Sequence, residues 1–334
     1  MKLALVAITD GGRRLAEELV HTMDGATLLS GERKVSATVA DNWQRFDGFI
    51  FIMAAGIVVR TIAPLLRHKH HDPCVVVMDE KGKHVISLLS GHIGGGNQLA
   101  HRLASLTGGQ AVITTASDIL GLTPLDLWAR KQNLHIEDQE KLTIASSKLV
   151  NHGTLSLYAD VEVANLPSGI TQTEKWEEAD IIVSHKDIYP ENSTLFRPRN
   201  LVIGTGCNRG TVEIEFEESI KELLHDCRLS RSSIRNLASI DKKNDEAGLL
   251  KFGHDNHWKI EFFDKSSINE LKNLEISFAA LKAVGAIGVA EPTALLSSRS
   301  HILLSRKRKW KNITMAIAQA PFTLSAQGQD QLNI

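Results

Sequence analysis

The sequence predicts an α/β fold: an N-terminal, mainly parallel sheet with helices on both faces, a small α/β middle region and a separate C-terminal α/β domain. Apolar segments of strand length alternate with amphipathic helical segments, and short glycine-containing turns join them. The chain has 334 residues, which is more than one domain usually needs. We therefore expect domains at 1–130 and 199–334, with the middle region at 131–198.

The N-terminal elements follow one another as strand, turn and helix. The predicted strands are KLALVAI, GFIFIM, CVVVMD, HVISLL and QAVITTAS, and the predicted helices include RRLAEELVHTM and NQLAHRLASLTGG. Leu15 and Leu19 recur at helical spacing among charges in the first helix, and Pro64 predicts a bend or stop in IVVRTIAPLL. The EKGKH segment between CVVVMD and HVISLL predicts a hairpin.

The middle region contains a predicted helix, KLTIASSKLVNHG, and two predicted strands, TLSLYAD and ADIIVSH, but no pattern that indicates chemistry. FRPRN predicts a linker before a new strand, glycine-rich turn and helix in LVIGTGCNRGTVEIEFEESIKELL. LASIDKKNDEAGLLKFG adds a strand and a helix. HILLSRKRKWKNITMAIAQA predicts two strands joined by a basic turn, whose charges we expect to be solvated.

Composition excludes several classes of partner. Lys and Arg total 38 against 39 Asp and Glu, so no global charge favours a nucleic acid or a membrane surface. The three cysteines are too scattered for a disulfide framework, and the apolar N-terminal run is too short for a signal peptide. No apolar run approaches the ~20 residues of a spanning helix. We expect a cytoplasmic protein.

The stretch SGHIGGGNQLAHRLA, residues 90–104, predicts a backbone that something approaches closely. A nucleotide phosphate, another ligand's carboxylate and a bare tight turn are the alternatives. Asn97 and Gln98 stand where a Walker loop needs Lys and Ser or Thr, and Gly204, Gly206 and Gly210 are spaced one residue too widely for a dinucleotide fingerprint. Two alternatives remain: an anion at the helix start, including a carboxylate or an oxyanion, or a sharp turn without a ligand.

Basic residues crowd one turn before this loop. PLLRHKHHDP contains Arg67, His68, Lys69, His70 and His71, and Arg60 precedes them. The cluster either clamps a polyanion or is a solvated loop. Adjacent histidines seldom converge on one metal ion, so we predict no metal site.

Another candidate segment, VITTASD, follows a predicted strand, where open α/β sheets bind ligands. Thr114 and Thr115 are therefore candidate binding residues. Asp118 either joins them or caps the following turn.

These blocks carry a family resemblance. FIMAAGIVVRTIAPLLRHKHHDPCVVVMDEKGKHVISLLSGHIGGGNQLAHRLA with VITTASD resembles the N-terminal region of the cobalt-precorrin-5A hydrolase family of cobalamin biosynthesis. RPRNLVIGTGCNRGT, LASIDKKNDEAGLL and GVAEPTALLSS resemble its C-terminal region. The blocks span most of the chain in the family's order, and the middle, about 131–196, corresponds to the family's variable region.

The resemblance implies a cobalt corrinoid substrate with many acetate and propionate side chains. It also implies a reaction that opens a δ-lactone and releases the former meso carbon with its methyl group as acetaldehyde. Cobalt would arrive in the substrate, with no further cofactor, and pathway methyltransferases would be transient partners. A non-catalytic corrinoid carrier would have similar loops, and it is distinguished by turnover. A nucleotide-binding enzyme should be stabilised by ATP or NAD.

Within that reaction we assign His92 as the base, because the adjacent helix N-terminus would hold its imidazole neutral. Alternatively, His92 hydrogen-bonds the turn or a substrate carboxylate. Backbone donors of Gly94, Gly95 and Gly96 would bind the oxyanion or a carboxylate. The other predicted substrate-binding residues are Arg60, Arg67, Lys69, Gly91, Asn97, Thr114, Thr115 and Gly206.

Three residues of the C-terminal domain complete the predicted site. Cys207 and Arg209 would line the pocket, although no histidine pairs with the thiol and a buried small residue is the alternative for Cys207. Glu291 is the second predicted catalytic residue. Its alternative is to accept backbone N–H groups near a helix start.

Overall fold

In a computed structural model of the chain, the described residues are 1–29, 34–67, 71–92, 94–190 and 193–327. They form two compact units, the first from Met1 to Leu127 and the second beginning at Trp128. The second unit contains both the predicted middle region and the predicted C-terminal domain. The division into three domains stays a prediction.

The first unit is an α/β unit with one sheet of order β2-β1-β3-β4-β5-β6. Its strands are β1 (Leu3–Ala7), β2 (Ala26–Leu28), β3 (Gly48–Ile52), β4 (Cys74–Met78), β5 (His84–Leu89) and β6 (Gln110–Val112). Its helices are α1 (Asp10–Thr22), α2 (Val35–Asn42), α3 (Ala55–Ile62), α4 (Gly96–Thr107) and α5 (Ala116–Ile119). A further helix, α6 (Leu125–Lys131), begins in the first unit and ends in the second.

The direction of the strands determines which loops meet. β1 pairs in parallel with β2 and β3, and β3 with β4. The hairpin to β5 reverses the chain, because β5 is antiparallel to β4, whereas β6 is again parallel to β5. The ends of β5 and β6 therefore lie at the edge where β1, β3 and β4 begin.

Both faces of this sheet are covered, as the sequence predicts. All of β3 is buried, which explains its continuous apolar run, GFIFI. Ala16 of α1 and Leu103 of α4 pack on one face, and Val39 of α2 and Val58 of α3 pack on the other. Leu15 and Leu19, the residues that predicted α1, pack in the first of these cores.

The second unit contains two larger sheets, of order β10-β8-β11-β12-β7 and β15-β14-β13-β17-β16, and the pair β18-β9. The strands are β7 (Leu134–Ile136), β8 (Leu155–Ala159), β9 (Glu162–Val163), β10 (Ile170–Gln172), β11 (Ile181–Val183), β12 (Leu195–Pro198), β13 (Leu201–Cys207), β14 (Ile234–Ile240), β15 (Ile260–Phe263), β16 (Leu303–Lys309), β17 (Ile313–Gln319) and β18 (Thr323–Leu324). The helices are α7 (Gln139–His152), α8 (Glu213–Cys227), α9 (Ala247–Asp255), α10 (Lys265–Asn269), α11 (Phe278–Val284) and α12 (Ala290–Ser298).

The C-terminal sheet follows its predicted pattern of strand, glycine-rich turn and helix. β13, β14 and β15 are parallel, whereas β17 is antiparallel to β13 and to β16. The predicted basic strand pair is therefore confirmed as β16 and β17. Phe216 of α8 and Phe252 of α9 pack against one face of this sheet, in a core that includes Ile203 and Leu237.

The predicted linker FRPRN is wrong. Its first three residues belong to the buried strand β12, and the Arg197 side chain is only 1% exposed. Arg and Pro suggested an exposed segment, but the Arg197 guanidinium is neutralised by Glu137, with Nε donating to Oε1 at 2.7 Å and Nη2 to Oε2 at 3.2 Å. Burial of this arginine thus depends on a carboxylate about sixty residues earlier in the chain.

Arg197 also joins segments of the two sheets of the second unit. Its Nη1 donates to the carbonyl of Ser184 at 3.1 Å, and the Ser230 hydroxyl donates to the same Glu137 carboxylate at 3.1 Å. The backbone adds a further link, since the N–H of Ser230 donates to the carbonyl of His185 at 2.8 Å. Removing the guanidinium would leave the carbonyl of Ser184 without this donor and the Glu137 carboxylate without its cationic partner.

We expect Arg197→Ala to lower the free energy of unfolding by about 1–3 kcal/mol, because buried acceptors of the guanidinium lose their donor, whereas Glu137, which is 32% exposed, can be partly rehydrated. Urea denaturation followed by tryptophan fluorescence measures the change. Arg199→Ala, an exposed arginine next to the same strand, is the matched control and should change the value by less than about 0.5 kcal/mol. Equal effects of the two variants would contradict the assigned role of Arg197.

Candidate functional site

The glycine-rich segment forms a compact loop between β5 and α4. Gly95 precedes α4 in the left-handed conformation, with φ of 81°, which a residue with a side chain adopts only at a cost. Gly91 lies against Asn97, and a Cβ on Gly91 would be 2.5 Å from Asn97 Oδ1. Gly94 lies against Ser90, close to the start of β4 at Cys74. These glycines allow the loop to fold tightly on itself.

Most of the backbone donors predicted to bind an anion are used by the loop itself. The N–H of Gly95 donates to the carbonyl of His92 at 3.0 Å, and that of Gly96 to Ser90 at 3.2 Å. The N–H of Asn97 donates to the carbonyl of Gly91 at 2.9 Å. Of the three predicted glycine donors, only Gly94 has an N–H without a hydrogen-bond partner in the described part of the chain. Of the predicted glycine N–H donors, Gly94 is therefore the candidate that remains for an oxyanion.

His92 projects from this loop toward the segment after β6. Its Nε2 lies 2.9 Å from Oδ2 of Asp118, and the two side chains are 19% and 37% exposed, respectively. The hydroxyl of Ser117 lies 3.4 Å from the same nitrogen. His92 and Asp118 are 26 residues apart in sequence, and they meet because β5 and β6 are parallel and end at the same edge.

Asn97 ties the loop to the same segment. Its side chain is buried, and its Nδ2 donates to Asp118 Oδ2 at 2.9 Å. A longer contact of 3.4 Å joins Nδ2 to the hydroxyl of Thr115, which immediately precedes α5. The predicted binding residues Asn97 and Thr115 thus lie together, whereas the neighbouring Thr114 is exposed. Asp118, left open by the sequence, accepts hydrogen bonds from both loop side chains.

Part of the predicted basic cluster is connected to this edge. The backbone N–H of Arg67 donates to Asp72 Oδ2 at 2.8 Å, and the Ser90 hydroxyl donates to the carbonyl of Asp72 at 3.3 Å. Lys69 lies outside the described residues, as do His68 and His70. Substrate binding by Arg67 stays a prediction.

Arg60 is directed elsewhere. Its guanidinium lies near Gly56 at the start of α3, where a Cβ would be 3.6 Å from its nitrogens. α3 starts just after β3, and β3 ends at the edge opposite to the end of β5. Long helical side chains point toward the helix N-terminus, which explains this direction. The structure therefore does not bring Arg60 to the loop of His92.

In the second unit, the predicted residues Cys207 and Arg209 lie at and just after the end of β13. Burial raises the pKa of the Cys207 thiol to about 11, so it is protonated at neutral pH and a weak nucleophile. The Arg209 guanidinium donates to the Asp245 carboxylate and, at 3.0 Å, to the carbonyl of Lys242. Its cation therefore already has an anionic partner.

Gly206 and Glu291 have structural contacts of their own. A Cβ on Gly206 would lie 2.9 Å from Thr314 Oγ1 of β17, so this glycine permits close packing. Glu291 lies in the first turn of α12, and its Oε1 accepts the backbone N–H of Lys307 at 2.9 Å. This contact is the alternative that the sequence left open for Glu291. Catalysis by Glu291 stays a prediction.

Two charged residues beside the turn after β13 were not predicted from the sequence. Glu246 accepts the N–H of Gly210 at 2.7 Å through Oε1, and its Oε2 lies 3.3 Å from the ammonium of Lys243. Both residues are buried, and so is Thr205, whose hydroxyl has no hydrogen-bond partner in the part of the chain that the structure describes. The only signal was the position of DKKNDEAG directly after a strand.

Neither a metal cluster nor a membrane span is found in the described residues. Among them, no group of three or more His, Cys, Asp or Glu side chains is placed to hold a metal ion. No helix in this part of the chain has both the length and the apolar character needed to cross a bilayer.

The arrangement around His92 suits proton transfer to or from a small ligand atom. An imidazole held by a carboxylate at 2.9 Å is a common general base. The N–H of Gly94, which has no partner among the described residues, is suited to a developing oxyanion. Burial raises the pKa of the Cys74 thiol, which lies near Gly94, to about 11, so it is not a thiolate at neutral pH. No metal ligands converge among the described residues.

Comparison with known proteins gives matches at both ends of the chain. The family model described as Cobalamin synthesis G N-terminal matches residues 37–118, and that described as Cobalamin synthesis G C-terminus matches residues 201–318. The two ranges include the loop of His92 and the turn of Cys207. Most of the middle region lies between them.

Individual relatives extend over more of the chain. A Priestia megaterium protein named cobalt-precorrin-5A hydrolase is 35% identical over 300 residues, covering 84% of this chain and 80% of its own. A Salmonella typhimurium protein of the same name is 29% identical over 343 residues, covering 95% and 97%. A solved cobalamin biosynthesis protein G homologue from Sulfolobus solfataricus is 20% identical, with coverage of 95% and 96% and a TM-score of 0.39.

The packing of the loop predicts that Gly91→Ala lowers the melting temperature. The added Cβ would meet Asn97 Oδ1 at 2.5 Å, and such overpacking typically costs about 1–3 kcal/mol. Gly56→Ala is the matched control, because a Cβ there meets nothing closer than 3.6 Å and a helical alanine is favoured by up to about 1 kcal/mol. Thermal unfolding followed by circular dichroism compares them. Equal melting temperatures would contradict the close approach.

Proposed function

We propose, from the premise that this chain belongs to the cobalamin synthesis G family, that it is a hydrolase of cobalamin biosynthesis acting on cobalt-precorrin-5A. The premise rests on a relative 35% identical, of which the chain covers 80%, and on family models at both ends. The observation in the structure that supports the proposal is the loop that holds His92 beside Asp118.

The proposed reaction has two parts. Water first adds to the lactone carbonyl carbon, the ester C–O bond breaks, and a carboxyl and a hydroxyl group result. The hydroxyl then loses its proton, the carbon–carbon bond to the macrocycle breaks, and acetaldehyde leaves while the bonding electrons pass to the macrocycle. Both parts need a group that accepts a proton, and the first needs a donor for the oxyanion.

We assign the first part to the edge of the sheet in the first unit. His92 accepts the proton of the attacking water, and the N–H of Gly94 is the backbone donor left for the oxyanion. Thr115 lies in the segment between β6 and α5, and the side chain of Asn97, at the start of α4, bonds to that segment. The bonds of Asn97 to Thr115 and to Asp118 favour a role in holding the site over direct contact with substrate carboxylates.

The second unit has a binding role in this proposal. A protonated, buried Cys207 thiol does not favour covalent catalysis. Arg209, Lys243 and Glu246 form a polar cluster with the turn after β13, in which each cation has an acidic partner. A substrate carboxylate would have to compete with Asp245 for Arg209. Such competition disfavours ligands that bind weakly, so it favours a substrate that offers many carboxylates.

Other parts of the proposal concern the protein's surroundings. We propose that cobalt enters with the substrate and that the chain has no resident cofactor. We also propose transient contact with pathway methyltransferases and a cytoplasmic location. The free cysteines of the described chain, Cys74, Cys207 and Cys227, support a reducing compartment.

The proposal predicts multiple turnovers of acetaldehyde when the protein is incubated anaerobically with cobalt-precorrin-5A, with a matching change in corrinoid mass. His92→Gln should lower kcat by about 10²–10⁴-fold, the usual contribution of a general base, while the substrate still binds. His84→Gln is the control, because His84 is an exposed histidine beside a carboxylate in the hairpin. Its kcat should equal that of the wild type.

Two outcomes would contradict parts of this proposal separately. Stoichiometric binding without acetaldehyde, from folded wild-type protein, would indicate a carrier and exclude the hydrolase. Acetaldehyde release by His92→Gln at the wild-type rate would keep the hydrolase and remove His92 as its base.

A further inference from the structure

We propose that Asp118 is a positioning residue that fixes the tautomer of His92, so that Nδ1 is the nitrogen that accepts the proton. The inference rests on the proposed hydrolase for its consequence in catalysis. The assignment of the tautomer itself rests only on the hydrogen bonds of the first unit.

The two hydrogen bonds at Asp118 Oδ2 show which partner donates in each of them. An ionised carboxylate has no proton to give, so both of its partners must donate. Asn97 Nδ2 donates to Oδ2 at 2.9 Å, and His92 Nε2 lies at the same distance from the same oxygen. His92 therefore carries a proton on Nε2, and in its neutral form Nδ1 holds the lone pair.

Nδ1 has the properties that a base requires. No hydrogen-bond partner of Nδ1 is present among the described residues, and the side chain keeps 19% of its surface exposed. The Nδ1 lone pair is therefore left for a water molecule or a substrate group. Ser117 Oγ lies 3.4 Å from Nε2, on the side of the ring that Asp118 occupies. The polar contacts of the ring are thus concentrated at Nε2.

The loop backbone is held without the help of Asp118. The Gly95, Gly96 and Asn97 N–H groups donate to carbonyls within the loop, and Gly91 makes room for Asn97. Asp118 itself lies on the four-residue helix α5, whose next residue, Ile119, is largely exposed. Loss of the carboxylate should therefore change the imidazole more than the fold of the loop.

During lactone opening, His92 accepts one proton and later releases it, while Asp118 keeps the ring in place. As the water oxygen bonds to the lactone carbonyl carbon, its proton moves to Nδ1 and His92 becomes an imidazolium. Asp118 stabilises this cation through the Nε2 hydrogen bond. When the ester C–O bond breaks, the proton passes from Nδ1 to the leaving oxygen, and His92 is neutral again. Asp118 touches no reacting atom, so it positions and does not itself transfer a proton.

The first experiment identifies the tautomer of His92 by NMR and does not require turnover of a substrate. Histidine labelled with ¹⁵N in the ring gives distinct signals for protonated and unprotonated nitrogens, and the His92 signal is identified by its absence in His92→Gln. Wild-type protein with a neutral His92 ring should carry the proton on Nε2. Asp118→Asn should shift the population toward Nδ1–H, because an amide N–H₂ can donate to Nε2. A wild-type proton on Nδ1 would overturn the inference.

The second experiment measures turnover of the same variants. Asp118→Asn should lower kcat by about 10²–10⁴-fold with KM within about threefold of wild type, and should move the acidic limb of the pH profile to lower pH. Asp118→Glu should recover part of the loss. Asp255→Asn, which removes a carboxylate 3.0 Å from the exposed His254, is the charge-matched control and should change neither quantity.

The two experiments separate this inference from the proposed hydrolase. Unchanged tautomer and kcat in Asp118→Asn would overturn the positioning role while the hydrolase stands. Absence of acetaldehyde from the wild type would overturn the hydrolase, yet the NMR signals would still test whether Asp118 fixes the ring.

Discussion

The reversal of chain direction between β4 and β5 is the constraint on which the candidate site depends. The Asp79 carboxylate accepts the backbone N–H groups of His84 at 2.7 Å, Lys81 at 2.9 Å and Lys83 at 3.3 Å, which closes the turn. Burial works to raise the pKa of Asp79, but these N–H groups, led by that of His84, outweigh it and lower the pKa below its ordinary value. The turn is therefore held by an ionised carboxylate at neutral pH.

This reversal decides which residues can meet. If β5 were parallel to β4, the loop of His92 would lie at the edge where β1, β3 and β4 end, the usual ligand-binding edge of an open α/β sheet. Instead it lies beside the start of β4, where Ser90 bonds to Asp72. Because α4 returns the chain to a parallel β6, the next strand end brings Asp118 to the same place. Arg60 lies on α3, the helix that follows the end of β3 at the opposite edge.

The sequence predicts the secondary-structure elements better than it predicts the contacts between them. Apolar runs such as GFIFI and the turn EKGKH depend on local chemistry, so β3 and the hairpin can be found without a structure. The pairing of His92 with Asp118 depends on strand order, which no residue within either segment records. The prediction of an exposed linker at Arg197 was wrong for the same reason, because the burial of Arg197 requires Glu137, which is far away in the sequence. The glycine-rich turn between β5 and α4 was predicted from the sequence, but the carbonyl that each of its N–H groups bonds could not be predicted from the glycine spacing.

The negative charge of Asp118 has opposite effects on binding and on catalysis. A substrate rich in carboxylates is repelled by it in the ground state, whereas the imidazolium that forms only as the water proton is transferred is attracted to it. An interaction that strengthens on the way to the transition state raises kcat, and one that weakens ground-state binding does not reduce that gain. Cationic groups farther from the reacting carbon can then supply affinity for the carboxylates. A carboxylate beside the base of a polyanion-binding enzyme is thus consistent with its chemistry, provided that the carboxylate binds the imidazole and not the substrate.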